Sequence, residues 1–164
     1  ILLVFNLIPN SPENKLKIPA IKLNRIFLGG AVKQNGKKKF SLKLQNIRLN
    51  KSETDFINKI LALIDSALNE NNIEIDYDWF DFQSLTEFEK KILRCLFEKV
   101  KFGRTVSYSE LAKLAGYSKN YARTIGNIMA KNPFPIIFPC HRVLKADGTL
   151  GNFQGGAELK KLLL

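Results

Sequence analysis

The chain has 164 residues, 45% of them apolar, which is enough for one ordinary domain or two small ones with a packed core. Lysine and arginine outnumber acids 26 to 15, and most of the excess lies after residue 84, where 14 basic side chains against 6 acidic ones leave a charge of +8. That face suits phosphates or another polyanion, although solubility alone would account for it equally well. One histidine and two cysteines exclude a disulfide framework and cannot supply four nitrogen or sulfur ligands for a structural zinc, so reduced thiols, no metal and no cofactor are expected.

The apolar opening ILLVFNLI has no basic leader and no small-residue cleavage site, so it reads as a strand rather than a targeting signal. No run approaches membrane-spanning length, and a soluble cytoplasmic protein with no membrane contact is expected. Asn35-Gly36 favours a type I′ hairpin turn, and Phe40, Leu42 and Leu44 alternate with polar residues as on a half-buried strand. Phe56, Ile60, Ile64 and Leu68, with Ile57 and Leu61 beside them, predict an amphipathic helix over about 53–70, ended by the asparagines at 69–72. In IEIDYDWFDF, residues 73–82, apolar residues alternate with Glu74, Asp76 and Asp78, which predicts a strand with three carboxylates on one face. Such a row could hold a magnesium ion, but no further ligand is identifiable and a solvated edge strand is the simpler reading.

A boundary near residue 84 follows from the turn-like QSLT, dividing the chain into 1–84 and 85–164. Thr86 and Glu89 make a capping box for a helix whose Phe88, Ile92, Leu96 and Val100 share a face, with Cys95 as a small core filler. Ser107 and Glu110 make a second box; Leu111, Leu114 and Ala115 give a short apolar face, and Gly116 ends the helix. After YSKN, with Ser118 as N-cap, a helix of about ten residues runs to Asn132-Pro133, so the pattern is helix-turn-helix. On that second helix Ala122, Gly126 and Ala130 form a strip almost without side-chain bulk, fitted either to tight core packing or to close approach by another surface. Arg123 beside it favours the latter, since a cation is wasted in a core.

The only histidine, His141, follows Cys140 in NPFPIIFPCHRV, residues 132–143. A free thiol is only a few per cent ionised at neutral pH and needs a base or cation nearby to become a nucleophile. On an extended strand the two side chains would point to opposite faces, so contact needs a turn, which Pro139 can supply, or a bridging water. Adjacent Cys-His pairs also arise by chance, and the pair alone does not establish catalysis.

The wider block, however, resembles the O6-alkylguanine-DNA alkyltransferases. The family hallmark PCHRV stands at 139–143, with SYSELA at 107–112, Ala122-Arg123, MAKNPFPI at 129–136 and GNFQGG at 151–156, in the family's order and spacing. The resemblance extends back to TEFEKKIL at 86–93; residues 1–84 match only in size and outline.

It implies an α+β protein: a small ribonuclease H-like strand and helix domain at 1–84 that braces a mainly helical, DNA-binding and alkyl-transfer domain at 85–164. It implies a monomer that places its second helix, through Ala122, Gly126 and Ala130, in the minor groove of duplex DNA. Arg123 would fill the stack where an alkylated guanine leaves, and Tyr108 would crowd the adjacent phosphate and donate a proton to the base. Cys140 would take the alkyl group from O6 and keep it, with His141 accepting the thiol proton through a water. Asn132 would tie the helix-turn-helix to the active segment, backbone near Cys140 and Val143 would read the exocyclic amine, and the loop of Asn152, Phe153, Gln154 and Gly155 would close over the base. Gln154 stands where many members carry serine, so a backbone amide is the expected contact there. The glutamate that orients the family's histidine would lie beyond Leu164, and the natural chain is expected to continue. A regulator or lesion sensor that grips DNA without chemistry is the alternative, and a cysteine hydrolase a third.

Overall fold

In the computed structural model, which describes residues 2–7, 21–27, 32–34, 37–39, 51–69 and 73–164, the opening strand forms as β1 (Leu2–Leu7). It pairs antiparallel with β2 (Ile21–Phe27), and the register shifts between Val4 and Phe5 as at a bulge. Two short strands, β3 (Val32–Gln34) and β4 (Lys37–Lys39), pair antiparallel with Gln34 opposite Lys37. Asn35-Gly36 between them, and the alternation at Phe40, Leu42 and Leu44, lie outside the described residues. Helix α1 (Lys51–Leu68) buries Phe56, Ile57, Ile60 and Ile64 of the expected stripe, together with Leu63 and Ala67, while Leu61 and Leu68 are only half-buried. Asn69 closes it by donating to the carbonyl of Asp65 at 2.9 Å.

Residues 73–82 do not form the expected strand. Tyr77–Trp79 is a 3-10 turn opened by Asp76, whose Oδ1 accepts the N–H of Asp78 at 2.9 Å. Only Phe80 reaches a sheet, bridging Leu23 in parallel, while the Asp81 N–H donates to the Leu23 carbonyl at 2.9 Å. The alternation nonetheless separates environments: Glu74, Asp76 and Asp78 are exposed, and Ile73, Ile75, Tyr77 and Trp79 pack against the core. Local side-chain capping won over strand pairing because Asp competes for backbone donors. Among the described residues no carboxylate, thiol and imidazole groups gather as metal ligands.

Both capping boxes are made. Thr86 and Glu89 cap α2 (Glu87–Lys99), which buries Ile92, Leu93, Cys95 and Leu96, and Ser107 and Glu110 cap α3 (Tyr108–Leu114). Gly116, at φ +85°, ends α3: its N–H reaches Lys113 O at 2.9 Å and the Tyr117 N–H reaches Ala112 O at 2.9 Å, a Schellman pair. The inward face of α3 is Leu111, Ala112 and Ala115, not Leu114, which is exposed; at 100° per residue position 114 falls outside that arc. Ser118 caps a 3-10 turn (Lys119–Tyr121) rather than the helix, and α4 (Ala122–Lys131) follows with Asn132 as its C-cap.

The segment PIIF, residues 135–138, is a compact turn rather than a strand. The Phe138 N–H donates to Phe134 O at 3.0 Å and the Cys140 N–H to Phe138 O at 2.7 Å. Phe134, Ile136, Ile137 and Phe138 are all buried, so there is no polar face for a strand to expose. Ile136 sits at φ +77°, a costly conformation for a β-branched residue, held by this packing. Cys140–Arg142 is then a 3-10 turn leading into β6 (Val143–Leu144), which pairs in parallel with β5 (Val106–Ser107). Helix α5 (Gly156–Leu163) completes the described chain, giving an α+β architecture with short sheets. Among the described residues no helix is long and apolar enough to cross a membrane.

One hydrophobic cluster joins β2, α1, α2, α3, α4, β5, β6 and the turn before Cys140, with Phe80, Phe82, Phe134 and Phe138 at its aromatic centre. Phe80 and Phe134 meet edge to face at 5.1 Å, Phe82 and Phe134 at 5.3 Å, and Phe80 and Phe138 at 5.6 Å. Each fully buried ring contributes about 1.5–3 kcal/mol from burial, and edge contacts add roughly 0.5–1.5 kcal/mol. A backbone bond from the Ile26 N–H to Pro133 O at 2.7 Å attaches β2 to the segment that leads to Cys140.

Candidate active site

Three local devices converge on Cys140. The β5–β6 pair sets Val106 opposite Val143, so the start of α3, with Tyr108 as its first residue, lies beside the turn that carries the thiol. The end of α4 delivers Asn132, which is buried and uses both ends of its amide: Nδ2 donates to Phe138 O at 2.8 Å and to Cys140 Sγ at 3.1 Å, and Oδ1 accepts the Phe134 N–H at 3.0 Å. Helix α5 delivers Lys160, fully buried, whose Nζ donates to Val143 O at 2.7 Å.

The 3-10 geometry answers how Cys140 and His141 can share a site. With three residues per turn, adjacent side chains diverge by about 120° instead of the 180° of a strand, and both residues are buried. The His141 and Phe153 rings lie nearly perpendicular with centroids 6.5 Å apart. Burial pushes the Cys140 thiol up to about 11; the Asn132 amide, the Lys160 charge and the N–H groups of Cys140 and His141 pull against it. Desolvation wins at rest, so the site holds a protonated thiol that needs a base to become a nucleophile.

Tyr108 is half-buried between two glycines. A Cβ on Gly126 would stand 3.9 Å from its ring, an ordinary contact, whereas a Cβ on Gly151 would overlap its hydroxyl. Burial, then the neighbouring Cys140, raise the Tyr108 phenol above its usual range, so it stays a donor. Gly151→Ala is therefore expected to force Tyr108 out of position at about 1–3 kcal/mol, the usual cost of overpacking, readable as a lowered unfolding midpoint.

On α4, Ile125, Ile128 and Met129 face inward. Arg123, Asn127 and Ala130 are exposed, and Ala122 and Gly126 are half-exposed, so the slim strip lies on the outer face rather than in the core. Since Tyr108 would tolerate a Cβ at Gly126, packing within the protein does not demand glycine there. In the 151–156 loop, Asn152 and Gln154 are exposed, Phe153 and Gly155 are half-buried, and Gly155 lies so close to Leu159 that a Cβ would overlap it. Contacts from Gly151 to Tyr108 and from Phe153 to His141 staple this loop to the site.

Two residues of the site went unassigned in the sequence. Lys160 lies in the buried register of α5 with Leu159 and Leu163, where a lysine was a detectable anomaly. Gly151 opens the quoted loop motif, but its demand for space comes from Tyr108, which is distant in sequence.

Residues 87–164 match the family model described as 6-O-methylguanine DNA methyltransferase, DNA binding domain. The chain is 38% identical over 108 residues to the methylated-DNA--protein-cysteine methyltransferase of Methanothermobacter thermautotrophicus, covering 66% of this chain and 59% of that protein. The human protein of the same name is 47% identical over 77 residues, 47% of this chain and 37% of that one. This chain thus spans about half the length of these curated relatives. Among solved structures, Mycobacterium tuberculosis OGT in complex with DNA superposes with a TM-score of 0.54 at 30% identity, covering 65% of this chain and 64% of that one. The Pyrococcus kodakaraensis O6-methylguanine-DNA methyltransferase gives 0.51 at 30% identity, covering 78% and 66%. By the motif order around Cys140 and this match, residues 87–164 of the chain belong to the O6-alkylguanine-DNA alkyltransferase family.

Proposed function

We propose that the protein repairs DNA by moving an alkyl group from O6 of guanine onto its own Cys140, once per molecule. The observation that carries this reading is a buried thiol, next to a buried imidazole, accepting a hydrogen bond from Asn132 at 3.1 Å. His141 takes the thiol proton through a water; the sulfur attacks the alkyl carbon as the carbon–oxygen bond breaks, and the guanine leaves with a proton supplied at N3 by Tyr108. The product thioether has no good leaving group, so the protein is consumed. Backbone near Cys140 and Val143 reads the exocyclic amine, and the loop of Asn152, Phe153, Gln154 and Gly155 closes over the base.

The lesion reaches the pocket from the minor groove of duplex DNA. Ala122, Gly126 and Ala130 let α4 enter a groove only about 6 Å wide, and Arg123 occupies the gap left by the extruded guanine. Extrusion costs a few kcal/mol, least where pairing is already weakened. The exposed position of Arg123 beside the slim strip, together with the basic charge after residue 84, supports this placement. Residues 1–84 act as a ribonuclease H-like brace for the transfer unit at 85–164, supported by the bond from Ile26 to Pro133, and the protein works as a cytoplasmic monomer. Transfer is favoured over a non-catalytic lesion sensor because Cys140 is present with its hydrogen-bonded neighbours.

Excess duplex carrying O6-methylguanine should give a single burst of about one equivalent. Sustained turnover would instead mark a hydrolase, and binding without product a sensor. Arg123→Ala should weaken lesion binding and, if Arg123 also neutralises a phosphate, reduce the slope of log K against log salt by about 1. A salt-independent affinity would contradict the basic-face account.

A further inference from the structure

We propose, on the reading that Cys140 is the reacting thiol, that Lys160 supplies the counter-charge for its thiolate. Lysines ordinarily keep the ammonium in water by extending the chain to the surface, yet Lys160 is 0% exposed between Leu159 and Leu163 on α5. Among the described residues no carboxylate pairs with it, and the bond it makes is from Nζ to Val143 O at 2.7 Å. A buried ammonium without an anion is strongly disfavoured, by several kcal/mol after relaxation. Among the described residues the one group whose charge acts on it is Cys140, and the anion there is the one the reaction creates.

The backbone places it there. The Val143 N–H donates to Cys140 O, closing a single 3-10 turn, so the carbonyl gripped by Lys160 and the sulfur belong to one rigid unit. Other polar or titratable groups facing the sulfur are the Asn132 amide from the end of α4, Tyr108 from α3, and His141 on the same turn. None of these is a permanent cation. The mutual influence has the required sign: the ammonium favours the thiolate, and the thiolate favours the ammonium.

The test replaces Lys160 with methionine, which keeps length and burial but removes charge, and follows thiolate absorbance against pH, with Cys140→Ser subtracting the Cys95 signal. The Cys140 midpoint should rise by up to about one pH unit, the low end of the range over which an opposite charge acts; Lys160→Arg should restore it in part. An unmoved midpoint overturns the proposal, as does a loss of thermal stability alone, which would make Lys160 a brace. Should Lys160→Met fail to fold, isotope-labelled lysine NMR on Cys140→Ser reads the same coupling from the other side. Lys160 should then lose its proton at lower pH than in the unaltered protein, and an unchanged titration overturns the proposal. Neither measurement uses lesion DNA, so a failure of alkyl transfer itself leaves both readouts intact.

Discussion

Replacing Cys140 with serine is expected to abolish alkyl transfer, a loss on the order of 10⁶ in rate if it follows nucleophile removal in other enzymes. The hydroxyl is smaller and can still accept the Asn132 amide, so the fold and DNA binding should persist. The same variant exposes the cost of housing the thiol. Cys140 ionises near 9.0 when solvated and at about 11 in the folded protein. Between those values the unfolded chain has released its proton while the folded one retains it, so native stability falls as pH rises and is fully present only below pH 9.0. At ~1.4 kcal/mol per unit, the unaltered protein should lose about 2–3 kcal/mol across this window relative to Cys140→Ser. Denaturant titrations of both proteins at pH 8 and about pH 11 check this, and parallel curves would mean the thiol is not desolvated.

The second large effect is expected at Asn132. Asn132→Ala leaves the Phe134 N–H and the Phe138 carbonyl without their side-chain partner in the buried turn and removes the donor to Cys140 Sγ. The Phe138 carbonyl keeps the Cys140 N–H at 2.7 Å, so the stranded group is the Phe134 N–H, and the protein should lose roughly 1–3 kcal/mol. Because the amide holds the thiol down against burial, its loss should also drive the Cys140 midpoint further up and slow transfer at neutral pH. Asn132→Asp separates the two effects, since it keeps the acceptor for Phe134 but places a negative charge against the sulfur. An Asn132→Ala protein with unaltered stability and thiol titration would contradict the assigned role.

Much of this arrangement was legible because it is local. Thr86–Glu89 and Ser107–Glu110 cap helices through contacts three residues apart, and Gly116 ends α3 through its own backbone freedom. The stripe on α1 needs only helical periodicity. The family motifs located Cys140 and His141, but not the turn that sets them at an angle, which depends on Phe134, Ile136 and Phe138 being drawn together into the core. Residues 73–82 misled for a related reason: their alternation records exposure, while their path is set by Asp76 and by a distant bridge from Phe80 to Leu23. Lys160 and Gly151 matter through partners far along the chain, Val143 and Tyr108, which spacing alone does not disclose.

Peptide mass analysis after one incubation with duplex O6-methylguanine tests the central claim most directly. The peptide containing Cys140, and not the one containing Cys95, should gain one methylene's mass at one equivalent per protein while guanine in the DNA is restored. Restored guanine with an unmodified Cys140 peptide would contradict that claim.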